Sequence, residues 1–235
     1  MLAVVPAEAP PALAGPGEGA NPVLIVGGTL SPELALAALA CRLRRDGFTV
    51  FTMALGGRGL GDIAVSARSV AERVDAIRAA TGAARIDLIG HSQGGLESRY
   101  YLKFLGGAAG VGTYVSLGTP QYGSAVANLC RLFGHCLGIV AFQQMAIGSP
   151  FLAELNAGDD TPGSLRYVSI YTALDTLVQP TERARLADDA INVKLQARCP
   201  FRIVGHLGLL LDGAVYGLVR SALLGGPVST RCLAF

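Results

Sequence analysis

Residues 87–101 read DLIGHSQGGLESRYY. A short apolar run enters a serine set among Gly90, Gly94 and Gly95, and an amphipathic helical pattern leaves it. Gly90-His91-Ser92-Gln93-Gly94 fits G-x-S-x-G, in which a strand turns sharply into a helix with the serine on the turn. The alternative is an ordinary strand-to-helix loop with a serine N-cap. An apolar strand before and a helix after are the context the sharp corner demands. On that reading the Ser92 hydroxyl points out at the carboxyl edge of a sheet, where open α/β folds bind ligands. The flanking glycines leave room where any side chain would collide with the neighbouring strand and helix.

Outward from this corner, short apolar runs alternate with helical stretches. PVLIVGG (22–28), FTVFTMAL (48–55), ARIDLIGHS (84–92), VGTYVSLGTP (111–120), LRYVSIYTALD (165–175) and FRIVGH (201–206) read as strands. SPELALAALACRLRRDG (31–47) reads as a helix with Ser31 as N-cap, Pro32 at its first position and Gly47 as its stop. Residues 63–82, 93–106 and 207–225 carry the other long helical patterns. Strand and helix alternate without hairpin signals, so the connections are crossovers and the sheet is mostly parallel. The fold class is α/β, with helices on both faces of that sheet. Between Pro120 and Leu165 the alternation stops, and residues 120–165 form an insertion.

Size and composition bound the rest. A chain of 235 residues is long enough for one well-buried domain and short for two. With 51% apolar and 15% charged residues it is globular with a large core. The net charge is only +2 with no basic stripe, which excludes nucleic acid as an expected partner. Residues 203–226 come nearest to a membrane span, but His206, Asp212 and Arg220 interrupt them; they read as a strand, a loop and a buried helix. Residues 1–21 carry prolines at 6, 10, 11 and 16 and no basic residue, so they read as an extended arm rather than a secretory signal. Five cysteines, an odd number, suggest two disulfides and one buried thiol in an exported protein; the alternative is five reduced core cysteines.

A serine hydroxyl needs a base to take its proton. Three histidines are present. His91 adjoins Ser92, and neighbours along a strand face opposite ways. His135 lies in the irregular insertion. His206 follows an expected strand at the same sheet edge, late enough for the order serine, acid, histidine that accompanies such a corner. Asp159, Asp160, Asp175, Asp188 and Asp189 qualify as the acid by order. Only Asp175 directly ends a strong strand; the other two pairs read as solvated loops or helix starts. An acid there holds the imidazole tautomer and stabilises the imidazolium. Donors for a developing oxyanion are expected from the N–H of Gln93 and from Thr29 in VGGTL, where Gly27 and Gly28 let the backbone approach. A plain tight turn is the alternative for GGT. Three scattered histidines offer no ligand spacing, so no metal or organic cofactor is implied.

With these residues placed, the chain resembles the secreted α/β-hydrolase lipases, specifically the group of Candida antarctica lipase B and its bacterial relatives. The pieces that carry the likeness are NPVLIVGGT, SQGG, IYTALDTLVQP, NVKLQARC, the segment around His206, and GLVRSAL. They run from residue 21 to Cys232. The resemblance implies an α/β-hydrolase fold, Ser92, Asp175 and His206 as triad, Thr29 with Gln93 as oxyanion hole, and a Cys199–Cys232 bridge. Two departures stand out. Where the lipase B enzyme has tryptophan before its serine this chain has His91 and no tryptophan anywhere, and the chain is shorter at its C-terminal end.

The insertion divides two readings evenly. Leu129, Leu132, Phe133, Leu137, Ile139, Val140, Phe142, Met145, Ile147 and Phe151 either pack two short helices or line an acyl groove with a mobile cover. Cys130 and Cys136 add a constraint. Six residues along a helix separate Cα atoms by about 9 Å, and a disulfide needs less than about 7 Å. If the two are bridged, the helix breaks between them, at Gly134-His135. His91, Gln144, Leu177 and Leu207 are expected to line the substrate pocket.

These features together point to a secreted carboxylester hydrolase, its signal removed, acting on a small acyl ester or lipid with transient contact to a lipid interface. The rivals are an acyltransferase or thioesterase with the same triad, and a non-catalytic lipid-binding protein on the same fold.

Overall fold

The computed structural model describes residues 20–130 and 135–234. The arm expected over 1–21 lies, but for its last two residues, outside them, as do Leu132, Phe133 and Gly134. Among the described residues six strands form one sheet: β1 (Val23–Val26), β2 (Val50–Met53), β3 (Ile86–His91), β4 (Val111–Leu117), β5 (Arg166–Tyr171) and β6 (Ile191–Lys194). Their order is β2-β1-β3-β4-β5-β6, and every pair is parallel. After β2 the chain crosses back over β1 to reach β3, so the direction of winding reverses between β1 and β3. Ligands bind at such a point in open α/β sheets. Both strands end there on segments already marked, Gly27-Gly28-Thr29 and Ser92.

Helices cover both faces. The long ones are α1 (Ala37–Arg45), α2 (Ile63–Thr81), α3 (Gly94–Phe104) and α8 (Gly213–Leu223). Between α3 and α8 come α4 (Ala125–Leu129), α5 (Val140–Gln144), α6 (Pro150–Leu155) and α7 (Leu195–Arg198). Alternate residues of the strands feed the two cores. Val23 and Ile25 pack with Leu39 and Leu43 of α1 and Leu218 and Val219 of α8. Leu24 and Val26 pack with Val70 and Val74 of α2 and Leu102 of α3. The fold is α/β with an all-parallel sheet, as the strand–helix alternation foretold, and it is the α/β-hydrolase fold that the resemblance implies. No helix among the described residues is long and apolar enough to cross a membrane.

Several expectations change. FRIVGH is not a strand: Phe201 and Ile203 are almost fully exposed, 97% and 89%. The carbonyls of Arg202 and Val204 accept from Gln196 Nε2 and the Thr172 hydroxyl, at 3.0 and 2.6 Å, instead of joining a ladder. The last strand is β6, whose exposed Ile191 and polar Asn192 and Lys194 suit a sheet edge. Ser31 caps nothing; the helix begins as a 3-10 turn at Glu33–Leu36 with Pro32 before it and no side-chain cap. Cys41 is exposed rather than buried, because α1 turns Leu39, Ala40 and Leu43 inward and Cys41 outward.

The other four cysteines form Cys130–Cys136 and Cys199–Cys232. At the first bridge the Cα atoms are 4.5 Å apart, so no continuous helix runs between them. α4 has already ended at Leu129, and the backbone turns left-handed at Cys136 and Leu137 (φ 59° and 53°).

Candidate active site

The corner after β3 is built by close approach. Ser92 takes φ 54°, a left-handed conformation rare for a residue with a Cβ and stored mostly at functional sites. Around it backbones nearly touch. A Cβ on Gly94 would stand 2.4 Å from the Gly27 carbonyl oxygen, and one on Gly90 would stand 2.5 Å from Gly95 Cα. The glycines let α3 begin against β1 and β3 at once. Gly28 closes from the other side, where a Cβ would meet Ser92 Cβ at 2.7 Å. The Ser92 hydroxyl makes no hydrogen bond with the described residues and faces a cavity.

His206 lies beyond the sheet edge, on the loop after α7, not at the end of a strand. Its Nδ1 stands 2.7 Å from Asp175 Oδ2, both groups buried. Asp175 follows β5 by four residues. Its Oδ1 accepts the N–H of Leu177 and Val178 at 2.8 and 2.9 Å, which holds the carboxylate in an Asx turn. Burial pushes this carboxyl up, but the hydrogen bond and charge of His206 and those two N–H groups outweigh it and keep it below the usual carboxylate range. The Gln179 side chain donates to the Asp175 carbonyl oxygen, and the Gln179 carbonyl accepts from the Ala125 N–H at 2.8 Å, so the loop is tied to the insertion. His206 Nε2 makes no hydrogen bond with the described residues.

Of the other acid candidates, none lies at the imidazole. Asp160 is not solvated as expected: it is buried and paired with Arg99 at 2.8 Å. Asp188 accepts the Asp160 N–H at 2.7 Å, and Asp159 caps Thr161. His91 packs on His206, ring centroids 4.9 Å apart, with its Nε2 3.2 Å from the His206 carbonyl oxygen. That contact makes Nε2 the donor. Burial and then the neighbouring His206 drive the His91 pKa down to about 3, so the ring is neutral.

A cavity of about 500 Å³ joins these groups. Thr29, His91, Ser92 and His206 line it together with Leu177, Leu207, Phe142 and Met145. Gln144 does not: its Oε1 accepts the Ile63 N–H and its Nε2 donates to Asp62, so its side chain is committed to the start of α2 while Met145 beside it faces the cavity. Thr29 and Gln93 sit on opposite sides of the switch point, and the Thr29 hydroxyl donates to Gln93 Oε1. Neither the Thr29 nor the Gln93 N–H makes a hydrogen bond with the described residues.

Residues 22–174 match the palmitoyl protein thioesterase family. The chain belongs to that family. The matched stretch holds Thr29, Ser92 and Gln93 and stops one residue before Asp175. Among solved structures, Aspergillus fumigatus lipase B is similar over 97% of this chain (20% identity, TM-score 0.75). This chain spans 61% of that protein's length. The mature form of Bacillus licheniformis lipase BlEst2 is similar over 90% of this chain and 95% of its own (16% identity, TM-score 0.69). A protein of Listeria innocua is similar over 87% and 94% (15% identity, TM-score 0.61). At these identities the likeness is one of fold.

Sequence reading passed over two residues in this palmitoyl protein thioesterase relative. Arg99 anchors the middle of α3 by bonds to Asn156 and Asp160, both 2.8 Å, and to Gln121 at 3.3 Å. Glu97 is wholly buried and accepts from Gln93 Nε2 at 2.7 Å. The signal for the second was present: Gln93 and Glu97 are four residues apart on a helix, hence on one face.

Proposed function

We propose that the protein is a carboxylester hydrolase in which Ser92 is the nucleophile, His206 the general base and acid, and Asp175 the residue that orients the imidazole. The observation that carries this is the 2.7 Å His206–Asp175 contact on the rim of the cavity that also exposes the strained Ser92. Asp175 holds the Nδ1–H tautomer, which leaves the Nε2 lone pair for the serine proton. Ser92 Oγ attacks the ester carbonyl as His206 takes that proton. The oxyanion develops near the Thr29 and Gln93 N–H groups, whose lack of other partners among the described residues suits that task. Collapse of the tetrahedral intermediate expels the alcohol, which takes the proton from His206. Water then repeats the sequence on the acyl-enzyme and releases the acid.

The apolar cavity suits acyl chains of moderate to long length. Val126, Ala127, Cys130, Phe142 and Met145 of the insertion line it, which supports residues 120–165 as its cover within one domain spanning 1–235. Exposed Leu30, Leu177 and Leu207 at the cavity support transient contact with a lipid surface. Two disulfides support export from the cell.

The family match favours a second reading, a thioesterase or acyltransferase using the same groups. A fluorophosphonate probe labels Ser92 in folded protein, and Ser92→Ala loses both labelling and at least about a thousandfold in rate. Absence of labelling means a lipid-binding protein. A chain-length series of p-nitrophenyl esters, run against matched acyl thioesters and with an added alcohol acceptor, separates the enzyme readings.

A further inference from the structure

Glu97 is buried one turn into α3, and the chemistry above leaves it without a role. Its Oε1 accepts from Gln93 Nε2, and Gln93 Oε1 accepts from the Thr29 hydroxyl. Glu97 Oε2 is also buried and finds no hydrogen-bond partner among the described residues. The three side chains form a line from a buried carboxyl to Thr29, which lines the cavity beside Ser92. Gly59 closes over its middle: a Cβ there would stand 3.2 Å from Gln93 Oε1 and 3.3 Å from Thr29 Cα.

An amide held between two groups has a polarity. Its oxygen accepts, its nitrogen donates, and a half-turn exchanges them at nearly the same positions. An ionised carboxylate only accepts. It keeps the Gln93 nitrogen toward itself, so the amide oxygen faces Thr29 and draws the hydroxyl proton inward. A protonated carboxyl donates. It draws the amide oxygen, turns the nitrogen toward Thr29, and frees the hydroxyl proton to point into the cavity. We propose that Glu97 is a positioning residue that acts through Gln93 to decide whether the Thr29 hydroxyl donates into the oxyanion site: protonated Glu97 adds that donor to the two N–H groups, and ionised Glu97 withdraws it. The inference rests on the reading of Ser92 as nucleophile.

Burial raises the Glu97 carboxyl to about 8, against the lowering effect of the Gln93 hydrogen bond. Charged groups on the surrounding elements do not pair with it. Arg58, Arg68 and Glu72 are exposed. Asp62 is bound to Gln144 and the Val65 N–H, and Arg99 to Asn156, Asp160 and Gln121. His91, His206 and Asp175 interact with one another across Ser92. Below pH 8 the third donor is present; as pH rises through the Glu97 pKa it is lost.

The test follows kcat and KM for ethyl butyrate by titration of the released acid from pH 6 to pH 10. Losing one oxyanion donor costs about a hundredfold in kcat, so wild type shows an alkaline fall of that order with KM unchanged. Glu97→Gln, whose uncharged amide both donates and accepts, lacks the fall. Thr29→Val keeps the backbone N–H, is slow throughout and lacks it too, whereas Thr29→Ser retains it. If Glu97→Gln does not fold, the Thr29 pair decides alone. An alkaline fall that persists in Glu97→Gln or in Thr29→Val overturns the relay. Fluorophosphonate labelling of Ser92 on the same preparations separates the two failures: labelled enzyme with an indifferent pH profile sinks the relay only, and unlabelled Ser92 sinks both.

Discussion

Asp87 shows what one buried carboxyl does to the pH dependence of the whole. It is 4% exposed, and its Oδ1 accepts from Asn21 Nδ2 at 3.0 Å and the Thr113 N–H at 2.8 Å. Burial nevertheless raises its pKa from 3.8 to about 6, against the lowering effect of those bonds. A folded pKa above the unfolded one means that the folded state holds the proton more tightly. The stabilisation from this group is therefore complete below pH 4 and is lost as pH rises through 6. About two pKa units correspond to about 3 kcal/mol. Asp87→Asn keeps the Oδ1 acceptor and removes the charge. It is expected to raise stability at pH 8 by about 1–3 kcal/mol and to change it little at pH 4. Urea unfolding at the two pH values checks this; an equal change at both refutes it. At this scale the sequence was most legible at the Ser92 corner, which its flanking glycines mark, and in the pairing of Asp175 with His206, which chain order marks. It was least legible at Glu97, Arg99 and Asp160, because a charged residue reads as solvated until its burial is known.

Elements were legible where pattern and packing agree. The helix over 63–82 is α2, capped by Asp62, whose Oδ1 accepts the Val65 N–H, and ended by left-handed Gly82. FRIVGH failed because alternation alone does not say which strand the sheet will accept. Arg202 bonds Asp212 at 2.7 Å and the carbonyls of Cys232 and Ala234 at 2.8 and 2.5 Å, which pulls that segment toward the C-terminal tail. The edge went instead to INVK, too short and too polar to stand out. The joint between α3 and the end of the insertion is a sharper case. Arg99 and Asp160 are 2% and 4% exposed, and Tyr122 also donates to Asp160. Removing one member leaves a buried charge unpaired, a loss of about 3–5 kcal/mol. Asp160→Asn is thus expected to lower the urea midpoint well beyond the effect of a surface change. Arg99→Met with Asp160→Leu is expected to lose less than the single substitution, since no lone charge remains. A double variant as unstable as the sum of both singles contradicts this.

At the scale of the whole molecule, the residues proposed for chemistry hang from loops beyond the sheet, and the two disulfides hold different loops. Cys130–Cys136 closes a short loop within the insertion, and Cys130 lines the cavity. Cys199–Cys232 closes a loop of 33 residues that contains His206, and it pins the C-terminal tail beside the Arg202 bonds. In the chain-entropy picture the stabilisation grows with loop length, to about 2.2 kcal/mol for the short loop and about 3.7 kcal/mol for the long one. For a chain of this size each kcal/mol moves Tm by about 2–4 °C. Cys199→Ser with Cys232→Ser is therefore expected to lower Tm by about 7–15 °C, and Cys130→Ser with Cys136→Ser by about 4–9 °C. Activity should divide them the other way round in kind. Loosening the long loop releases the segment that holds His206 Nδ1 against Asp175, so kcat falls for every ester. Loosening the short one alters only the cavity wall, so KM rises most for the longest acyl chains. Calorimetry and a chain-length series on the two double variants check both halves. A long-loop variant that keeps full kcat well below its Tm would mean that the Thr172 and Gln196 bonds to residues 202–204 suffice to seat the His206 loop without the bridge.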